Sequence, residues 1–182
     1  YENFDLDIPK GKIVSIFGPN GCGKSTLINM ISGLVPIDKG EILFDGKSLK
    51  DTKIGYVFQN YREALFPWMR TIDNIAYPLK PEVLFLDEPF SALDFEMTLF
   101  IREKLQEVFI QTGTTMMLVS HDLEEAVYLA DQVLLLTKRP TSIAEILHYD
   151  DPRPRTVATL SEANFVATKK RSLEVFQREV RR

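Results

Sequence analysis

Cysteine is nearly missing from this chain. Cys22 is the one thiol among 182 residues. A single cysteine excludes an internal disulfide and fits a reducing compartment. No apolar run approaches the roughly 20 residues needed to span a bilayer. No charged-then-apolar leader opens the sequence, and there is neither an internal repeat nor a low-complexity tract. Charge of one sign is also lacking. The formal net charge is −4, which implies no strongly acidic or basic partner for the chain as a whole. These absences predict a chain soluble by itself, held by another chain if it works at a membrane. What is present is 45% hydrophobic residues, enough for one domain with a single core.

Strand-like and helix-like stretches alternate. Tyr1 to Asp7 alternates apolar and polar residues and predicts a half-buried strand. Glu41 to Gly46 predicts a strand ending in an Asp-Gly turn. Ile54 to Phe58, Val83 to Leu86, Thr114 to Ser120 and Val133 to Leu136 predict further strands, with Ile143 to Leu147 at an edge. All-apolar strands of this kind are buried on both faces, as in parallel sheets. Helices are expected after Ser25 and over Glu96 to Gln111, Asp122 to Ala130 and the tail from about 156 to 182. In the second of these, Met97, Ile101, Leu105 and Val108 fall at helical spacing. The pattern is that of an α/β fold with a mostly parallel central sheet, flanking helices and an antiparallel N-terminal β part. It is read as one domain over 1–182, with a core to about 147.

The chemistry starts at Gly18-Pro19-Asn20-Gly21-Cys22-Gly23-Lys24-Ser25, which fits the phosphate-loop pattern G-x-x-x-x-G-K-[ST]. A strand-like run precedes it and a helix-like run follows, with Gly33 placed to end the helix. Such a loop points successive backbone N–H groups at an anion. Lys24 can reach the β- and γ-phosphates of a nucleotide, and Ser25 can offer its hydroxyl to Mg²⁺. Cys22 acts here through its backbone N–H, not its thiol. The competing reading is a glycine-rich turn that merely matches.

Asp87 and Glu88 end the apolar Val83 strand. In a parallel sheet, ligands sit at the carboxyl ends of the strands, so topology delivers both carboxylates to the phosphates. Asp87 is expected to hold Mg²⁺. Glu88 is expected to orient and deprotonate the attacking water. The alternative is a solvated acidic turn before Pro89. Gln59 and His121 end two other strands on the same side. His148 lies beyond the core and receives no role.

The phosphate loop, Gln59, Asp87-Glu88, Ser91-Ala92-Leu93-Asp94 and His121 occur in the order seen in ABC-type ATPases, which the chain resembles over about Tyr1 to Leu136. The resemblance implies a P-loop NTPase of the ABC ATPase type that dimerises head to tail around two ATP molecules. Nucleotide contacts fall on Gly18 to Thr26 and Gln59. Metal contacts fall on Ser25, Gln59 and Asp87, and the catalytic set is Glu88, His121 and Lys24. By the same resemblance Gln59 senses Mg²⁺ and the permease, His121 contacts the γ-phosphate, and Asp94 couples the two sites.

Phe66-Pro67-Trp68 and Asp151-Pro152-Arg153-Pro154-Arg155 resemble the nitrate, sulfonate and taurine branch of bacterial importers, nitrate most of all, with bicarbonate relatives close by. The branch implies transmembrane permease subunits as partners, docked near Phe66 and Trp68. It also implies a second ATPase subunit, identical or paralogous, and indirectly a solute-binding protein. The expected location is the cytoplasmic face of the bacterial inner membrane, as a peripheral protein.

Two family features are missing. No L-S-G-G-Q signature occurs before the Asp-Glu strand, so a segment is expected to have been left out between 80 and 81. Tyr1 is too near the loop in sequence to be the aromatic residue that stacks on adenine. The tail carries Lys169, Lys170, Arg171, Arg178, Arg181 and Arg182, with Val166, Leu173, Phe176 and Val180 on one helical face. It is expected to pack that stripe on the domain rather than lie on a membrane. Nucleic acid is not an expected partner, because no stacking aromatics interleave the basic residues. The rival readings are a nucleotide-binding regulator without turnover and a soluble ABC ATPase of translation or DNA repair.

Overall fold

The structure is a computed structural model that describes residues 1, 4–58 and 81–181. Gln59, Phe66, Trp68 and Lys80 therefore lie outside the described residues.

Six strands form one sheet: β1 (Ile13–Phe17), β2 (Ile54–Val57), β3 (Val83–Asp87), β4 (Thr115–Val119), β5 (Gln132–Leu136) and β6 (Ile143–His148). Their order is β2-β3-β4-β1-β5-β6. All neighbours pair in parallel except β5 and β6, which pair antiparallel. Every residue of β1, β3 and β4 is buried. This is why those runs carry no polar alternation. The register sets Asp87 beside Val119 and Ile16 beside Val119, so β3, β4 and β1 end together.

Alternate side chains build two cores. α1 (Lys24–Ile31) covers one face, where Leu27 and Ile28 meet Val14, Ile16, Phe85, Met117 and Leu134. Helices α2 (Phe95–Thr112), α3 (Leu123–Leu129) and α4 (Ala163–Arg181) cover the other, against Ile13, Phe17, Leu84, Leu86, Met116 and Leu118. Local signals fix the helix ends. The Asp94 and Asp122 carboxylates accept from backbone N–H groups in the first turns of α2 and α3. Caps of this kind are worth about 1 kcal/mol each.

Several expectations are corrected. Residues 4–8 keep the alternation, with Phe4, Leu6 and Ile8 half-buried, but join no ladder. The antiparallel part shrinks to a bridge between Phe44 and Lys47 around the Asp45-Gly46 turn. Of the expected face, Met97 is 44% exposed, while Leu105 is buried and Ile101 and Val108 pack against the same core; α2 also buries Thr98, Arg102 and Gln106. Arg102 is accommodated there by a buried ion pair with Glu125 of α3. In α4 the buried residues are Phe165, Ser172, Val175 and Glu179. Val166, Leu173 and Val180 face outward. The tail packs on the domain as expected, but along a neighbouring stripe.

Candidate functional site

The loop between β1 and α1 wraps around its own lysine. Lys24 Nζ donates to the Gly18 carbonyl at 2.9 Å and the Pro19 carbonyl at 3.3 Å. Its side chain is largely buried, so the ammonium is held at the loop and not in bulk water. Gly23 turns at φ 112°, a conformation that side chains rarely adopt. Gly18 is tight for another reason: a Cβ there would stand 3.0 Å from the Leu136 Cβ of β5.

Asp87 meets Ser25 across the sheet edge. Ser25 Oγ donates to Asp87 Oδ1 at 3.1 Å. Burial pushes the Asp87 carboxyl above its ordinary range; the Ser25 hydrogen bond opposes this, and the Glu88 charge adds to it. Mg²⁺ binds through one or two carboxylates together with phosphate oxygens and water. Ser25 Oγ and Asp87 Oδ1 fit such a donor set. Among the described residues no group of three or more His, Cys, Asp or Glu is placed to hold a metal. A metal here would therefore share its ligands with the phosphates.

Glu88 sits at φ 48°, left-handed and non-glycine. Such backbone strain costs on the order of 1–3 kcal/mol and collects at functional sites. Its amide donates to the Val119 carbonyl at 2.9 Å, which fixes the turn after β3. Its Oε2 lies 3.4 Å from Nδ1 of His121, which follows β4. His121 is in turn backed by buried groups. Ser120 Oγ donates to Glu125 Oε2 at 2.7 Å, and Glu125 Oε1 accepts from Arg102 at 2.8 Å.

The structure thus gathers Lys24, Ser25, Asp87, Glu88 and His121 at one edge of the sheet. Asp94 stands apart from them as the cap of α2, accepting from the Met97 amide at 2.8 Å. Two further residues were not legible as site residues. The Tyr1 hydroxyl donates to the Gly23 carbonyl at 2.6 Å, so a residue read as too near the loop in sequence lies against it in space. Tyr56 OH donates to Asn29 Oδ1 at 2.6 Å, and burial, with the Asp87 charge, raises its pKa. Nothing in their local sequence marks either one.

A profile described as "ABC transporter" matches residues 1–78. The chain is 31% identical to the aliphatic sulfonates import ATP-binding protein of Bacillus cereus, over 97% of this chain and 88% of that one. The protein of the same name from Bacillus anthracis is also 31% identical, over 88% and 82%. The Bacillus cereus alignment runs over 226 residues, more than the 182 of this chain, so that relative has residues within the aligned span that this chain lacks. Among solved structures, an ATP-binding cassette determined as a dimer in a post-hydrolysis state with ADP and Pi superposes with a TM-score of 0.68 at 23% identity, covering 82% of this chain and 90% of that one. CbiO1 from Clostridium perfringens, part of an ABC transporter complex, gives 0.64 at 22%, covering 79% of each. Fold, loop and relatives agree: the chain belongs to the ABC transporter family, among its ATP-binding subunits of the ABC ATPase type.

Proposed function

We propose that this chain is the ATP-hydrolysing subunit of a bacterial importer that takes up a small oxyanion through a membrane permease. The observation that carries the reading is Lys24, Ser25, Asp87 and Glu88 sharing one sheet edge, with Ser25 and Asp87 in direct contact. The sulfonate import for which the Bacillus relatives are named favours a sulfonate. The Phe66-Pro67-Trp68 and Asp151-to-Arg155 runs favour nitrate within the same chemical class. A tetrahedral or planar oxyanion is the common requirement.

Each residue has a separate task. The loop amides of Gly18 to Ser25 and the Lys24 ammonium hold the phosphate chain. Ser25 and Asp87 hold Mg²⁺, which supplies charge neutralisation at the phosphates when bound. Glu88 takes the proton from the attacking water and leaves as a carboxylic acid that returns it to solvent. General-base help of this kind is worth about 10²–10⁴ in rate. His121, 3.4 Å from Glu88, orients that carboxylate and reaches the γ-phosphate side. Gln59 adds a metal and permease contact.

Closure of two such subunits, identical or paralogous, around MgATP drives the permease, and loss of the γ-phosphate reopens them. The helical signature segment belongs between 80 and 81, and residues near Phe66 and Trp68 meet the permease. No helix among the described residues is long and apolar enough to cross a membrane. We place the chain at the cytoplasmic face through its permease. Measuring ATPase activity of the full-length protein reconstituted with its permease tests the reading, with uptake of labelled nitrate and of an aliphatic sulfonate compared. No turnover in that assembly would overturn it.

A further inference from the structure

We infer that the Tyr56 hydroxyl is the positioning group for the Asp87 carboxylate, setting how that carboxylate is turned toward Mg²⁺. The inference rests on the reading of Ser25 and Asp87 as the metal-holding pair. It adds a residue that no motif in the sequence supplies.

Tyr56 stands on β2, next to β3 in the sheet. The parallel register sets Tyr56 beside Phe85 and Val57 beside Leu86. Successive side chains of a strand alternate between the two faces. Phe85 and Asp87 therefore share a face, and Tyr56 shares it with them. This is the face that α1 covers, where Tyr56 packs half-buried against the core. Its ring centroid lies 4.3 Å from that of Phe58 and 6.1 Å from that of Phe85. With the ring braced on both, the hydroxyl is delivered to one place.

That place lies between α1 and the end of β3. On the helix side the hydroxyl donates to Asn29 Oδ1 at 2.6 Å. Asn29 follows Ser25 by four residues and so shares its helical face. On the strand side the hydroxyl is within hydrogen-bonding reach of the Asp87 carboxylate. A phenol can donate and accept together, so it can serve both neighbours. Asp87 Oδ1 already accepts from Ser25 at 3.1 Å. The carboxylate is thus held from α1 by Ser25 and from β2 by Tyr56. A carboxylate alone turns freely, because its terminal torsion is broad and two-fold. Two donors from two different elements remove that freedom. Groups that hydrogen-bond a metal-ligating carboxylate are worth about 10–100-fold in metal affinity or activity. Phenylalanine at 56 would keep the ring contacts and lose only the hydroxyl.

The test measures, by calorimetry on the full-length protein, the dissociation constant for ATP with Mg²⁺ and with EDTA in its place. The ratio of the two is the gain that the metal supplies. Tyr56→Phe is expected to reduce that gain about tenfold, and to leave affinity for ATP in EDTA within about twofold of the parent. Asn29→Ala leaves the phenol beside Asp87 and is expected to reduce the gain less than about threefold. An unchanged gain in Tyr56→Phe overturns the inference. Equal weakening with and without Mg²⁺ also overturns it, because the hydroxyl would then support the phosphate loop and not the carboxylate. A loss in Asn29→Ala as large as that in Tyr56→Phe overturns it too, because the hydroxyl would then act through α1. No gain from Mg²⁺ in the unsubstituted protein overturns the Ser25 and Asp87 reading itself, and the inference with it.

Discussion

Ser25 Oγ and Asp87 Oδ1 stand 3.1 Å apart, although 62 positions separate them in the sequence. One begins the helix after β1 and the other ends β3, with β4 lying between those strands in the sheet. The contact exists because the parallel strands finish together. It gives a metal two protein oxygens beside the phosphate loop.

Asp87 binds protons more tightly in the folded protein than in the unfolded chain, because burial raises its pKa. Stability from that group is fully present below the unfolded carboxyl pKa of about 3.9 and is lost as pH rises through the higher folded value. Asp87→Asn should therefore raise Tm at pH 7, and the gain should vanish toward pH 3. The same variant should lose the Mg²⁺ dependence of nucleotide affinity. Thermal melts from pH 3 to 8 check the first part, and calorimetry with and without Mg²⁺ checks the second.

The Lys24 ammonium is held on the Gly18 and Pro19 carbonyls of the phosphate loop. A charged hydrogen bond contributes about 1.5–3 kcal/mol. Lys24→Ala should weaken MgATP binding by about tenfold or more while the fold persists. Calorimetry and far-ultraviolet circular dichroism on the same sample check both halves.

Behind His121, Arg102 and Glu125 form an ion pair with both side chains about nine-tenths buried. Removing one partner of such a pair costs about 3–5 kcal/mol, whereas replacing both with apolar groups is often neutral. Arg102→Met should be strongly destabilised, and Arg102→Met with Glu125→Leu should recover most of the loss. Urea denaturation of the parent, both single variants and the double variant measures this. Recovery of stability without recovery of turnover would show that Glu125 also positions Ser120 and His121.

Legibility followed the range of the interactions. β1, β3 and β4 were readable because burial on both faces demands unbroken apolar runs. The phosphate loop and the Asp87-Glu88 pair were readable because their chemistry needs fixed residue types at fixed spacing. The Tyr1 to Asp7 alternation gave the right half-buried side chains but the wrong element, since alternation records which side is covered and not whether a partner strand is present. Arg155 was read only as part of a branch resemblance. In the structure it is fully buried and donates to the carbonyls of Tyr128, Ala130, Tyr149 and Asp151. Its partners are backbone groups, which carry no side-chain signature. The same holds for Tyr1, whose partner is the Gly23 carbonyl.

Such a hub should be intolerant of change. Arg155→Met leaves the four carbonyls without their donor, along with the partly compensated Asp131 carboxylate. Each unsatisfied buried group costs roughly 1–3 kcal/mol. The variant should unfold at markedly lower urea concentration, while Arg171→Ala, which breaks the solvent-screened pair with Glu145, should leave the urea midpoint nearly unchanged.

We propose Glu88 as the base for ATP hydrolysis, and the Glu88→Gln variant probes that role. The amide keeps the shape and a hydrogen-bonding side chain but loses the basic carboxylate. In the full-length protein, MgATP affinity should remain within about threefold of the parent, and turnover should fall by about 10²–10⁴. The variant should also accumulate as a closed, ATP-filled assembly by gel filtration. Near-normal turnover in Glu88→Gln would show that another group takes the proton.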